Sequence, residues 1–325
     1  MRGKRILDDS GVALVLVLWI TVLLSVIVGS FAMSMRTEAR AVSNFMEGSK
    51  AYYLARAGFT RAVTELLKDK HLPPGEFQEE GWKVDGTVNT FSFDGGYAEV
   101  SVMDEGGKMD LNAATRGDLV RVFAALELDF DQRDVVADSI LDWRDEDDVR
   151  MVNGAEDGYY MSLPRPYGAK DASFEAVDEL IRVRGITGEL FHGTGGDLRG
   201  DALDTGEPQR PGLEELFTVF TLSAGVNVNT ASFTMLTSIP GIDELYAREI
   251  IDIRESDPFQ GLEELMEVVP GLSPGAGSKL TFSSPEIYTI DAEGGLDGTP
   301  ARRSFKAVIK IKGKSDYEIL YWRDG

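Results

Sequence analysis

The chain contains no cysteine and only two histidines, His71 and His192, among its 325 residues. The missing cysteines exclude disulfides and thiol chemistry, and two distant histidines argue against a histidine-rich zinc centre or a Ser-His-Asp triad. Neither an HExxH motif nor a P-loop occurs. Nothing marks a particular pair of carboxylates as the catalytic pair of a glycosidase. The sequence therefore gives no positive sign of an enzyme.

Basic residues are also scarce, because 33 lysines and arginines stand against 55 aspartates and glutamates, for a net charge of -22. A body this acidic repels phosphate backbones, which argues against a nucleic-acid partner and makes divalent cations the natural counter-ions. The hydrophobic fraction of 43% is enough for a sizeable core. The length allows two domains beyond a membrane anchor.

One apolar run without a charge covers residues 11–33 and follows a short basic leader. About 22 residues at about 1.5 Å each span roughly 33 Å, enough to cross the hydrocarbon core of a bilayer. The basic leader favours a cytoplasmic N-terminus. No small-x-small cleavage site closes the run, which continues into a helix-favouring stretch over 36–67. We predict one long helix, half in the membrane and half outside; a plain signal anchor is the alternative.

Alternating apolar and polar residues predict strands at both ends of the part that follows. The runs at 87–93 and 97–103 are separated by Asp94-Gly95-Gly96, a hairpin signal, and three similar runs lie within 286–323. The long segment between them has the periodicity of amphipathic helices. It shows this at 116–128, 133–144, 174–185, 231–239 and 244–255. We predict an α+β fold whose small sheet domain is interrupted by an all-helical insertion; two separate domains are the alternative.

The insertion contains an internal near-repeat. Segment 110–115 resembles 227–232, and segment 174–180 resembles 259–265. An asparagine before a helix accepts hydrogen bonds from the free N–H groups of the first turn. We therefore interpret Asn112 and Asn229 as helix N-caps in preference to ligands.

The turn Ile239-Pro240-Gly241-Ile242, between two predicted helices, resembles a helix-hairpin-helix unit. Such hairpins offer backbone N–H groups to phosphate, usually beside a lysine or arginine. Here Asp243 and Glu244 follow the turn and would repel phosphate, and the nearest basic residue is Arg248. We favour a packing role. The alternative function is a membrane-anchored helix-hairpin-helix protein that binds DNA in a competence-like uptake system.

Acidic residues are densest between 142 and 157. Several carboxylates and one side-chain amide in a short loop are oxygen ligands of the kind that Ca²⁺ prefers, although the spacing is not that of an EF-hand. Carboxylates this crowded repel one another unless a cation neutralises them. The pattern favours a calcium site over a solvated acidic loop.

Four features together resemble the protein K family (general secretion pathway protein K), the large minor pseudopilins of the type II secretion system. They are the leader that ends in Gly11 before an apolar helix, the stretch Arg36–Arg40 with its helix, the run 138–145 leading into 153–160, and Val228–Ala231 before the Pro-Gly turn. The resemblance extends over nearly the whole chain.

The resemblance implies that a prepilin peptidase cuts after Gly11 and leaves Val12 as the new terminus. Most pilins carry glutamate at the fifth mature position, which is Leu16 here, and its absence suits a subunit at the tip of a fibre. The two acidic residues before the cut, Asp8 and Asp9, reduce the positive charge of the leader. Family members bind calcium in the insertion, which implies ligands among Asp145, Asp147, Asn153, Glu156 and Asp157.

The resemblance also implies a pilin-like fold in which the long helix packs on a small antiparallel sheet. The expected segments are a leader at 1–11, a transmembrane part at 12–33, a pilin-like body at 34–104 and 284–325, and the insertion at 105–283. The expected function is that of a minor pseudopilin at the tip of a short periplasmic pseudopilus, where it initiates assembly for protein export. The expected partners are the other minor pseudopilins, the major pseudopilin, the prepilin peptidase, the inner membrane, and secreted cargo or the outer-membrane secretin.

Overall fold

The computed structural model describes residues 9–69, 82–194, 210–221 and 225–325. Most of the leader and His71 lie outside the described residues, and so do Pro73-Pro74-Gly75 and most of residues 193–212.

The described helices are α1 Asp9–Asp69, α2 Arg116–Ala125, α3 Phe130–Arg144, α4 Asp157–Tyr160, α5 Gly188–His192, α6 Leu213–Leu216, α7 Phe233–Thr237, α8 Glu244–Ser256, α9 Leu262–Val268 and α10 Pro274–Gly277. Two 3₁₀ turns, Glu105–Gly107 and Val177–Arg182, accompany them. The described strands are β1 Asp85–Phe93, β2 Gly96–Asp104, β3 Met109–Asp110, β4 Phe217–Thr218, β5 Val226–Asn227, β6 Leu280–Thr281, β7 Ile287–Leu296, β8 Arg302–Lys312 and β9 Asp316–Asp324.

The 61-residue helix α1 confirms the prediction of one continuous helix. Within the described residues it is the one helix that is long and apolar enough to cross a membrane, with a mean hydropathy of 2.7 in its most apolar window. Gly11 and Val12 both lie inside its bounds. The apolar side chains between Leu14 and Met35 are exposed in the isolated chain, as a lipid-facing segment requires.

The second half of α1 packs on a five-stranded antiparallel sheet in the order β1-β2-β7-β8-β9, which confirms the predicted α+β fold. Small residues let the helix approach the strands closely. A Cβ at Gly294 of β7 would lie 2.1 Å from the carbonyl oxygen of Ala51, and one at Gly58 would lie 2.8 Å from the Cβ of Ala98. On the same face Phe305 stacks on Trp322 with ring centroids 4.2 Å apart.

The insertion leaves the sheet at the end of β2 and returns at the start of β7. Gly96, at the start of β2, lies beside Leu54 of α1, and Gly58 lies beside Ala98 and Val100. The strand therefore runs in the same direction as α1, so Asp104 lies at the end of the body that is distal to the apolar segment. The insertion is placed at that distal end.

The insertion consists of two similar units, each closed by a short parallel strand pair. Strand β3 pairs with β4 around the first unit, and β5 pairs with β6 around the second. These pairs were not predicted, because two-residue strands have no detectable period. The insertion is helical apart from them and from irregular segments.

The predicted N-caps are wrong by three residues. The cap of α2 is Thr115, whose side chain accepts from the backbone N–H of Asp118, and the cap of α7 is Ser232. Asn112 and Asn229 precede these caps in a separate turn, so they are too far from the helix N–H groups to cap them.

The two asparagines instead tie distant parts of each unit together. The carboxamide of Asn112 donates to the carbonyl of Phe174 at 2.9 Å and accepts from its N–H at 2.8 Å. Asn229 makes the same pair of bonds with Phe259, both at 2.9 Å. The sequence near-repeat is therefore a structural repeat.

An arginine completes the match between the two units. Arg254 of the second unit donates to the carbonyls of Val228 and Ala231, each at 2.7 Å. In the first unit Arg144 donates to the carbonyls of Leu111 and Ala114. Arg144 thereby holds the turn before α2 against α3, and Arg254 holds the turn before α7 against α8.

Replacing Asn112 with alanine leaves the N–H and C=O of Phe174 without these partners, and we expect a loss of about 2 to 3 kcal/mol of unfolding free energy. Thermal unfolding and hydrogen exchange of the full chain measure it; backbone amides around residue 174 should exchange faster. Asn44→Ala, at an exposed position of α1, is the matched control and should change neither. Equal exchange around residue 174 in the parent and Asn112→Ala would contradict this role.

Candidate functional site

The candidate site is the acidic segment, residues 145–173, which the first unit carries and the second lacks. In the second unit only residues 255–258 separate Arg254 from Phe259, whereas 145–173 separate Arg144 from Phe174 in the first. Arg144 comes directly before the segment and Phe174 directly after it. Hydrogen bonds from Arg144 and from Asn112 to Phe174 therefore fix both ends of the segment to the first unit.

Two buried aspartates of α3 fasten this segment to the helix. Asp142 accepts from the backbone N–H of Met151 at 3.2 Å. Asp138 accepts from Arg116 at 2.6 Å, and from both the backbone and the side-chain nitrogen of Asn153 at 3.2 Å. A Cβ at Gly154 would lie 2.0 Å from a carboxylate oxygen of Asp142, so this position requires glycine. The carboxylates of Asp138 and Asp142 therefore fix the shape of the loop, and they accept hydrogen bonds from it.

The five sequence-predicted ligands divide into two groups. Asn153 is engaged with Asp138, Asp157 accepts from the backbone N–H of Ala169 at 2.8 Å, and Asp147 accepts from that of Val149 at 2.8 Å. By contrast, one oxygen of Asp145 and both oxygens of Glu156 are buried and have no hydrogen-bond partner. Asp145 and Glu156 are therefore the two predicted residues whose buried oxygens lack a partner.

A third residue, Asp171, was missed by the sequence reasoning. One of its carboxylate oxygens is also buried without a partner, and its backbone is in the left-handed region with φ 50°. Burial, followed by the charges of Asp157 and Asp148, raises the pKa of Asp171. It lies 15 residues after Glu156, beyond the acidic cluster, so no local spacing pointed to it.

The carboxylates of this segment repel one another. Burial raises the pKa of Glu156 to about 7, and the charges of Asp142, Asp145 and Asp171 push in the same direction. Burial and then the charge of Asp147 raise the pKa of Asp145. Buried carboxylate oxygens that lack a hydrogen-bond donor fit a hard cation.

The side chains alone do not form a finished coordination sphere. Among the described residues, no three Asp, Glu, His or Cys side chains are grouped so that they could hold a metal ion. A bound Ca²⁺ would need backbone carbonyls and water in addition, both of which are ordinary calcium ligands.

Aromatic rings pack against one another within and beside the acidic segment. Trp143 lies edge-on to Tyr160 with ring centroids 5.1 Å apart, and Tyr160 lies 5.3 Å from Tyr167. Arg184 lies over the ring of Tyr159 at 4.8 Å. Trp143 comes two residues before Asp145 and is therefore a built-in fluorescent reporter for this segment.

The hairpin of the second unit is a packing element. Gly241 has φ +97°, and a Cβ there would lie 3.3 Å from the carbonyl oxygen of Gly271 in the facing Pro-Gly turn. Arg248, the nearest basic residue, lies 3.8 Å from the carboxylate of Glu244 and stacks near Phe233. The hairpin thus presents acidic residues and one paired arginine, which is a poor surface for a phosphate backbone.

A G-x-S-x-G pattern occurs at residues 271–275. Its serine, Ser273, accepts from the backbone N–H of Ala276 at 3.2 Å and lies at the start of α10. The pattern is therefore a helix cap, and it lacks the strand-to-helix elbow of a hydrolase nucleophile.

Comparisons with known proteins agree with this architecture. A family profile described as Type II secretion system (T2SS), protein K matches residues 100–193, and one described as Helix-hairpin-helix motif matches residues 223–280. Type II secretion system protein K of Pseudomonas aeruginosa is 24% identical over 286 residues, which cover 83% of this chain and 80% of that protein. The chain is thus similar to protein K of type II secretion systems over most of its length. These likenesses support a minor pseudopilin of that system.

Two further protein K relatives, of Aeromonas hydrophila and Pectobacterium carotovorum, are each 27% identical over 203 and 206 residues. These matches cover 61% and 60% of the relatives' lengths. A chain in the crystal structure of the GspK-GspI-GspJ complex from enterotoxigenic Escherichia coli shares the fold, with a TM-score of 0.64 and 16% identity. The likeness covers 86% of this chain and 97% of that chain. The DNA-binding alternative is not favoured, because the hairpin match covers only the second unit.

Proposed function

We propose that this minor pseudopilin forms the tip of a periplasmic pseudopilus and initiates its assembly together with the other minor pseudopilins. The structural neighbour comes from a complex of three type II secretion proteins, which supports partners of that kind. The role of the chain is assembly and not turnover.

The observation that carries the proposal is an apolar stripe on α1. Val42, Met46 and Tyr53 are 58%, 53% and 67% exposed, and spacings of four and seven residues place them on one face of the helix. The sheet covers the opposite face, through residues such as Ala51 and Ala55. A helix that is apolar on its free side and already packed on the other is suited to lie beside the helices of sister subunits.

The position of the insertion supports a place at the tip. It lies at the end of the body distal to the apolar segment of α1, where the next subunit of a fibre would have to stack. Leu16 stands where most pilins have a glutamate, and this fits a subunit that does not dock on another one below it. The insertion would then face the secretin or the secreted cargo.

The membrane part of the proposal concerns the first half of α1. Before maturation this segment holds the chain in the inner membrane, with the body in the periplasm. The prepilin peptidase cuts between Gly11 and Val12, and the matured helix then joins the minor subunits and the major pseudopilin. The uninterrupted apolar helix over these residues supports a stem of this kind.

We also propose that the acidic segment binds a structural Ca²⁺. Asp145, Glu156 and Asp171 supply the buried oxygens that lack partners, and the ion would have to draw these three side chains together. Asp147, Asn153 and Asp157 stay candidates through their second oxygens or after a local rearrangement. The bound ion would neutralise the mutual repulsion of these carboxylates.

Co-purification from membranes tests the assembly proposal. The full chain is co-expressed with the other minor pseudopilins of its system, and Met46→Glu is compared with Asn44→Glu. Both variants add one negative charge at an exposed position of α1, but Asn44 lies on the opposite side from the stripe. We expect Met46→Glu to lose most of the co-purified partners and Asn44→Glu to retain them. Equal recovery in both would contradict packing through this face.

A further inference from the structure

The body and the insertion have separate hydrophobic cores. The core of the insertion includes buried residues from Met109 to Leu280, and that of the body is built from α1 and the five-stranded sheet. No described residue belongs to both clusters. Domains that share no apolar core move relative to each other unless other contacts hold them.

Two adjacent connectors join the domains. In the first, Asp104 is buried and accepts from Asn227, Thr230 and Ser284 at 2.9 to 3.1 Å. The neighbouring Glu105 is buried too and pairs with Lys108 at 2.5 Å. The second connector returns through Ser284 to the start of β7. Both connectors meet at one end of the sheet, so together they act as a single point of attachment.

Away from the connectors, the domains meet mainly through charges, beside one aromatic contact in which the ring centroids of Phe220 and Tyr321 are 6.4 Å apart. Glu214 of α6 lies 3.1 Å from Lys306 of β8 and 3.3 Å from Arg323 of β9. Asp178, on the 3₁₀ turn of the insertion, pairs with Arg323 and accepts from the hydroxyl of Tyr321 at 2.6 Å. We call these five side chains the polar bridge.

The polar bridge is well formed at neutral pH. Burial would raise the pKa of Glu214, but Lys306, the hydrogen bond to His192 and Arg323 outweigh it and lower that pKa to about 2. His192 lies 2.9 Å from the second oxygen of Glu214. Asp291 of β7 lies 3.7 Å from Lys306 and is a second carboxylate beside that ammonium group.

A cleft extends from the polar bridge along the face of the sheet opposite α1. Its volume is about 750 Å³. Ser101, Asp291 and Ser304 line the sheet side, and His192 and Glu215 line the insertion side. Unlike the two cores, this space is not filled by apolar side chains, so little packing resists a change in its width.

We propose that the insertion rocks on the pilin-like body about its two connectors, and that the polar bridge centred on Glu214 sets its angle. Breaking the bridge widens the cleft while both cores stay intact. The inference concerns the orientation of the insertion and depends on neither the calcium proposal nor the place of the chain in a fibre. It identifies a joint by which the distal domain of the subunit tilts relative to its stem.

Distances between two spin labels on the full chain in detergent micelles test the proposal. The chain has no cysteine, so Glu189→Cys on α5 and Asp297→Cys in the turn after β7 would be the only labelled positions. Both residues are exposed, and Asp297 follows the end of β7 that is farthest from the connectors. The bridge is broken by Asp178→Asn with Glu214→Gln, and independently by Lys306→Gln with Arg323→Gln. Glu318→Gln is the control, because it breaks the 2.6 Å pair with Lys312 that lies within the sheet.

We expect both bridge variants to shift the distance distribution to longer values and to broaden it, while Glu318→Gln matches the parent. Far-UV circular dichroism identifies any variant that fails to fold, and the other bridge variant then decides. Folded bridge variants with the parental distribution would overturn the proposal. So would a parent distribution that is already as broad as that of the variants.

Discussion

Glu156→Gln is expected to stabilise the chain in EDTA and to abolish its stabilisation by Ca²⁺. Both carboxylate oxygens of Glu156 are buried without a donor, and burial raises its pKa to about 7. Glutamine has nearly the same shape and no charge. At pH 8 and without metal, we expect the unfolding free energy of Glu156→Gln to exceed that of the parent by up to about 3 kcal/mol. The reason is that a shift of one pKa unit corresponds to about 1.4 kcal/mol.

The pH dependence has a definite sign. An ordinary glutamate has a pKa near 4.5 in the unfolded chain, so between about pH 4.5 and 7 the folded chain holds the proton more tightly. The stability of the metal-free parent therefore falls as the pH rises through this window, and Glu156→Gln removes that fall. Thermal unfolding in EDTA at several pH values measures both effects.

We expect Ca²⁺ to reverse the order of stability, so that the parent becomes more stable than Glu156→Gln. A site filled to 100 times its dissociation constant stabilises the folded state by about 2.7 kcal/mol. We expect most of that gain in the parent and little in Glu156→Gln, with the fluorescence of Trp143 following the same titration. Glu146→Gln, an exposed neighbour, is the matched control and should behave as the parent. A Glu156→Gln chain that gains as much as the parent from Ca²⁺ would contradict the assignment of Glu156.

Gly294→Ala is expected to separate α1 from the sheet. The new Cβ would lie 2.1 Å from the carbonyl oxygen of Ala51 and 2.5 Å from the backbone nitrogen of Ala55. These are backbone atoms of a helix, so no side-chain rotation relieves the clash, and the helix has to move. Overpacking against flexible side chains costs about 1 to 3 kcal/mol, and we expect at least about 3 kcal/mol here.

For a body of this size, such a loss lowers the melting temperature of the pilin-like domain by more than about 10 °C. The near-ultraviolet circular dichroism of the Phe305–Trp322 stack should weaken at the same time. Gly188→Ala is the matched control, because a Cβ there meets no atom within 4 Å. If the two variants melted together, the close approach of α1 to β7 would not be important for the fold.

Much of the fold could be predicted from local patterns. The alternation at 87–93 and 97–103 around Asp94-Gly95-Gly96 forms the hairpin of β1 and β2, because sheet periodicity and turn chemistry are both local signals. The long helix was equally visible. By contrast, the run 174–185 has the periodicity of a helix but forms only the 3₁₀ turn Val177–Arg182, since Asn112 holds its start in an extended conformation.

The candidate site was predictable in composition and not in geometry. The crowding of acids indicated a cation, but it could not separate Asp142, which fastens the loop through Met151, from Glu156, whose oxygens lack partners. That distinction depends on which backbone N–H groups reach each carboxylate. Asp171 was invisible for the same reason, because tertiary folding and not sequence spacing brings it within electrostatic reach of Glu156.

The central claim is that α1 serves first as a membrane tether and then, after removal of its leader, as the stem of an assembled subunit. N-terminal sequencing of the protein isolated from membranes of cells that contain the prepilin peptidase tests it most directly. The account predicts a mature chain that begins at Val12. A chain that begins at Met1, or well inside the apolar segment, would contradict it.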